Sequence, residues 1–96
     1  MVLYPFILTG SVALNNFSCS GKDLEEEGAT ISSVGSQGFG ITNSRGEEYS
    51  LKIGGCTKLE ANHEGYQPSV GDRVRWSGWK NSSNKSINAA SVACYA

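Results

Sequence analysis

Val70-Gly-Asp-Arg-Val-Arg-Trp-Ser-Gly-Trp-Lys80, then the polar run Asn81-Ser-Ser-Asn-Lys85, then Ser86-Ile-Asn-Ala-Ala-Ser-Val92, is the stretch that decides the fold. A Gly71-Asp72 turn launches an extended segment. Side chains alternate along a strand, so Val74 and Trp76 share one face, Arg73 and Arg75 the other. The returning segment puts Ile87 and Ala89 on a common face. Two period-two runs around a polar turn read as an antiparallel hairpin, of the kind that closes a small β-barrel. Shape is better specified here than activity.

Outward from this hairpin the chain continues in the same style. Its 96 residues include 12 Gly and 2 Pro, a mixture that favours short strands and tight turns over helices. Six strands are predicted, over Tyr4–Asn15, Ala29–Gly35, Phe39–Asn43, Glu48–Gly54, Asp72–Trp79 and Ser86–Tyr95. Gly10 is read as a bend in the first. Gly35-Ser-Gln-Gly38 and Asn43-Ser-Arg-Gly46 are hairpin turns. Periodicity fails between Cys56 and Ser69, where at most one short helical turn fits, over Thr57 to Asn62. The length fits one domain over 1–96: an amino-terminal strand and acidic loop over 1–27, and a barrel core over 28–96. Met1 to Leu14 is apolar and lacks Lys or Arg, too short to span a bilayer and without the basic start of a leader. It is read as part of the fold.

The formal charge is −1 and the pI near 5.7, so the chain lacks the strong positive field of a general phosphate binder. The charge is uneven. Lys22 to Glu27 carries four carboxylates against one Lys, whereas beyond Tyr66 the cations Arg73, Arg75, Lys80 and Lys85 face only Asp72. Two solvated surfaces are the plain reading. A basic binding face is the sharper one.

Phe39-Gly-Ile-Thr-Asn-Ser-Arg-Gly-Glu-Glu-Tyr-Ser-Leu-Lys-Ile53, a connecting segment and the closing hairpin together resemble an OB-fold over residues 28–95. Similar patterns occur in extracytoplasmic bacterial OB domains and in small subunits of single-strand-binding complexes. The resemblance implies an all-β, five- to six-stranded OB-like barrel with at most one short helical turn. Two departures are the extra amino-terminal strand and the short segment before Gly71, where many OB-folds place a helix. In such a barrel the third and fifth strands are parallel neighbours. That would bring Cys56 and Cys94 to one end, and a bond between them would be worth about 4 kcal/mol. Cys19 would then be free or bridge to another chain. Three reduced, buried thiols are the alternative. The sequons at Asn16, Asn81 and Asn84 tilt the balance slightly toward secretion, with an intracellular location as the alternative.

Chemistry is sparsely signalled. Three cysteines without metal spacing and a single histidine, His63, imply neither a metal site nor a cofactor. No nucleophile, base and orienting group are spaced for catalysis, so an enzyme is not expected. Glu25, Glu26 and Glu27 are read as solubilising, and Asp72 as a turn residue bonding nearby amides. Trp76 shares the face of Val74 and is expected in the core, leaving Trp79 as the exposed ring. The expected contact surface is Trp79, Arg75, Lys80 and Tyr66, extended by Arg73 and Lys85 and the tip from Asn81 to Lys85. Recognition of a protein or glycan partner is the first reading, because Trp, Tyr and Arg dominate interface energetics. The second is single-stranded nucleic acid, with bases stacked on the tryptophans and on Phe39 and Tyr49. A stability or assembly subunit without a ligand is the third.

Overall fold

The computed structural model of the chain describes residues 2–6, 17, 19, 24–35, 38–81 and 85–96. Among the described residues there are six strands: β1 Tyr4–Pro5, β2 Leu24–Gly35, β3 Gly38–Thr42, β4 Glu48–Ala61, β5 Arg73–Asn81 and β6 Ser86–Tyr95. Antiparallel pairing links β4 to β3, β3 to β2, β2 to β5 and β5 to β6. A parallel β4–β6 ladder closes the ring into a five-stranded barrel. β1 adds to β4 beyond the reach of β3, with Tyr4 opposite Ala61 and Pro5 opposite Glu60. Among the described residues there is no helix.

Alternation builds the core. Ile31, Phe39, Ile41, Leu51, Ile53, Val74, Trp76, Ile87 and Val92 point inward and are buried. Burying each such side chain contributes about 1.5–3 kcal/mol relative to leaving it in water. Ala90 is an extra residue in β6: Ser77 opposes Ser91 while Gly78 opposes Ala89. That bulge switches the inward set from Ile87 and Ala89 to Val92 and Cys94, and tightens the local twist. Gly78 suits the closest approach there, because a Cβ on it would collide with the Asn88 carbonyl.

Part of the expected layout lies outside the described residues, and part is corrected. The predicted strand over Tyr4–Asn15 is described only as far as Phe6, with β1 two residues long; Gly10, the turn at 36–37 and the tip at 82–84 lie outside the described residues. β2 begins earlier than expected, at Leu24, so the Glu-rich segment is a strand. β4 runs to Ala61 and replaces the predicted helical turn over Thr57 to Asn62. Lys, Leu, Glu and Ala favour helix locally, but alternation puts Ala61 in the core and Leu59 against it, and tertiary burial overrides propensity. Lys58 and Glu60 point outward and pair at 3.4 Å.

The predicted Cys56–Cys94 bond is absent; Cys19 joins Cys56 instead, with Cα atoms 5.9 Å apart. Because β4 continues past Cys56, the parallel register sets Cys94 opposite Ala61, five residues farther on. Cys94 is a buried free thiol. Cys56 lies in a wide bulge, where residues 54–57 oppose Ala90 alone. Thr57 holds this bulge closed: its hydroxyl donates to Ala89 O at 2.6 Å and accepts from Gly54 N at 2.9 Å.

Candidate binding surface

β5 carries most of the predicted site residues, but at two different places. Arg73 opens the strand and Lys80 lies seven residues on, about 23 Å away at the usual rise. Arg73 and Arg75 are exposed on the outer face. Trp76 is buried, with 1% of its surface exposed, as the alternation predicts. Trp79 is half-buried opposite Asn88. Tyr66 is not a surface ring: only 1% of it is exposed. It plugs the barrel end below the 62–72 loop, edge-on to Phe6 at 5.1 Å, and its hydroxyl donates to Asp72 Oδ2 at 2.5 Å. The same carboxylate oxygen accepts Ser69 N at 3.1 Å, the turn role expected of Asp72. Burial and this hydrogen bond both raise the Tyr66 phenol above its ordinary range.

At the opposite end, Lys80 pairs with Glu26 at 2.6 Å and lies 4.8 Å from the Tyr49 ring centroid. Lys85 is exposed, in a left-handed conformation (φ 52°), and its carbonyl accepts Ser50 N at 3.0 Å. The neighbouring β3–β4 turn is an Asx turn. Asn43 Oδ1 accepts Arg45 N and Glu47 N, and Gly46 has the positive φ the turn requires. Glu47 is held below the usual carboxylate range by hydrogen bonds from Asn43 and then Arg45.

The two halves of the uneven charge meet across the β2–β5 ladder. Glu25 opposes Ser77 and Glu26 opposes Trp76, which brings the acidic strand against the basic one. Arg75 donates through Nε and Nη2 to Glu25 Oε1 and lies 3.4 Å from Glu27 Oε1. The Glu25 hydrogen bond, followed by the charges of Glu25 and Glu27, pushes the Arg75 guanidinium further toward its charged form. Arg75 and Lys80 are therefore not unopposed cations. Among the described residues Arg73 makes no ion pair.

One surface feature draws predicted and unpredicted residues together. The β2–β5 register breaks between Glu26 and Ala29, so Glu27 and Gly28 face Arg75 as a two-against-one bulge. Gly28 takes φ +82°, which few other residues adopt cheaply. The bulge opens a cleft of about 410 Å³ lined by Glu27, Gly28, Asn62, Arg73, Arg75 and Tyr95. Tyr95 is the direct cross-strand partner of Arg73. Asn62 exchanges hydrogen bonds with the Ala96 backbone, which ties down the wall behind Tyr95. Through Arg75 and Tyr95 the cleft runs into a smaller groove lined by Ser77, Ser91 and Ala93. Tyr95 and Asn62 were absent from the sequence-based set. Counting the hairpin outward from its turn would have found Tyr95 opposite Arg73, to within the one-residue bulge.

Phe39 and Tyr49, expected to help stack bases, belong to the inward set of β3 and β4: Phe39 is buried and Tyr49 packs against the core. The outer surface there is small and polar, with Ser33, Gly40, Ser50 and Lys52 around a shallow depression. Among the described residues no cluster of His, Cys, Asp and Glu is arranged to hold a metal ion, and no helix is long and apolar enough to cross a membrane. No family model, curated protein or solved structure matches the chain.

Proposed function

We propose that this chain is a non-catalytic binding module on an OB-like barrel that holds a protein or glycan partner on its outer face. The observation that carries this reading is the cleft where Tyr95 stands between Arg73, Arg75 and Asn62. Tyrosine and arginine are the residues whose burial most often dominates interfaces, and here a rigid sheet presents them. The parallel β4–β6 pairing supports the OB-like description. The Cys19–Cys56 bond supports an oxidising, extracytoplasmic setting, where structural disulfides persist.

Single-stranded nucleic acid is the second reading, favoured by the outward Arg73 and Arg75 beside the Tyr95 ring. The inward Phe39 and Tyr49 and the carboxylates opposite Arg75 and Lys80 count against it. Amide resonances of the labelled protein, followed during titration with peptides, neutral oligosaccharides and an oligothymidylate, separate the readings. Peptide or sugar ligands are expected to shift Arg73, Arg75 and Tyr95 together. Saturable oligothymidylate binding that weakens steeply with salt would replace the first reading with the second.

A further inference from the structure

Resting on that reading, we propose that the ligand class is an acidic peptide segment, one carboxylate of which pairs with Arg73 while its apolar neighbour packs on Tyr95. Three observations converge on this class. Arg75 already displays the recognition chemistry in cis, taking Glu25 through two of its N–H groups with Glu27 behind. Arg73, one pleat away on the same face, has no such partner among the described residues. The adjacent Asp72 carboxylate is committed to Tyr66 and Ser69.

Two carboxylates, Glu25 and Glu27, stand against the two arginines, but both lie on Arg75, so Arg73 is the cation left without an ion pair among the described residues. A single carboxylate suits that cation, since arginine's planar fork matches carboxylate geometry. A polyanion would meet Glu25, Glu27 and Glu60 along the same face. A cationic segment would meet Arg73 first. The half-buried Tyr95 ring beside Arg73 supplies apolar contact for the residue next to the carboxylate.

Glu27 gives the proposal its sharpest consequence. Its side chain is 72% exposed and 3.4 Å from Arg75, so it is a loose internal competitor for a carboxylate entering beside Arg75. The test is a titration of the full chain, in low-salt buffer, with acetyl-Gly-Tyr-Glu-Leu-Gly-amide and with its Gln counterpart, read by amide shifts. The Glu peptide is expected to bind at the Arg73–Tyr95 cleft, about three- to fivefold more tightly than the Gln peptide, the range of an exposed ion pair. Arg73→Met, which keeps the aliphatic stem, is expected to erase that preference. Glu27→Gln is expected to strengthen Glu-peptide binding by about twofold or more. Equal binding of the Glu and Gln peptides, or a preference that survives Arg73→Met, overturns the acidic class and leaves the cleft as a binding surface. Binding of oligothymidylate or of a lysine peptide at the same resonances with higher affinity also overturns it. If none of these probes or the neutral sugars moves the cleft resonances, the binding-surface reading falls with it.

Discussion

Tyr66 and Cys94 show how single buried side chains set a pH limit on the whole chain. Cys94 is fully enclosed, and burial pushes its thiol up to about 11, with the Asp72 carboxylate adding to the rise against a lowering hydrogen bond from Tyr66. Tyr66 is raised as well. In both cases the folded protein binds the proton more tightly than the unfolded chain does. The stability linked to this is intact at neutral pH and is lost as pH climbs past the unfolded values, near 8.5 for Cys and 10 for Tyr. The unfolding free energy read from urea titrations should therefore fall from pH 8.5 upward, by about 2 kcal/mol for the thiol by pH 11. In Cys94→Ala the decline should start only near pH 10; an unchanged onset would show that the thiol does not govern this range. Trp76 illustrates the opposite compromise, because its Nε1 is buried without a partner among the described residues. Such an orphan costs about 1–3 kcal/mol, offset by the area its ring buries.

Among the elements, the sequence was most legible where one face is plainly apolar. β6 matches its predicted bounds, and β3 and β5 differ only at their ends, because Phe39 with Ile41, and Val74 with Trp76, leave a single register that buries both. The start of β2 and the end of β4 were obscured for one reason: their residues have poor strand propensity and are held by partners distant in sequence. Glu25 to Glu27 extend because Arg75 and Lys80 lie across the ladder. Lys58 to Ala61 extend because β1 and β6 flank them. The site suffered similarly. Arg73 and Arg75 follow from the alternation, whereas Tyr66 lies in a stretch without periodicity and is buried only because residues 62–72 fold back against Phe6. The disulfide depends on the length of β4, which the helix-favouring residues 58–61 disguise in the sequence. By the chain-entropy relation, linking residues 37 apart stabilises by about 4 kcal/mol. Cys19→Ser should lower the unfolding free energy by up to that amount. The intact chain, denatured without reductant, should show one reactive thiol; three would mean that the bond does not form.

At the scale of the whole molecule, closure leaves few strand edges bare, since β2, β3, β4, β5 and β6 each find neighbours around the ring. Closure also explains why the acidic and basic segments neutralise each other. β2 and β5 are sequence-distant strands forced side by side by the barrel, and the carboxylates and cations arrive on the same wall. A surface balanced in this way draws polyanions weakly, so any recognition on it must rest on local geometry rather than long-range attraction.

β3 pairs with β4 only as far as Lys52; farther along, at residues 59–61, β4 is edged by Tyr4, Pro5 and Phe6, whose amide donates to Leu59 O at 3.3 Å. These first residues act as a hem. Unpicking them would bare the amides and carbonyls of residues 59–61, a template for strand exchange between molecules, and would uncover the Tyr66 plug. A variant lacking residues 2–6 should therefore form larger species than the intact chain does as concentration rises in light scattering. No such difference at high concentration would show that the margin protects itself.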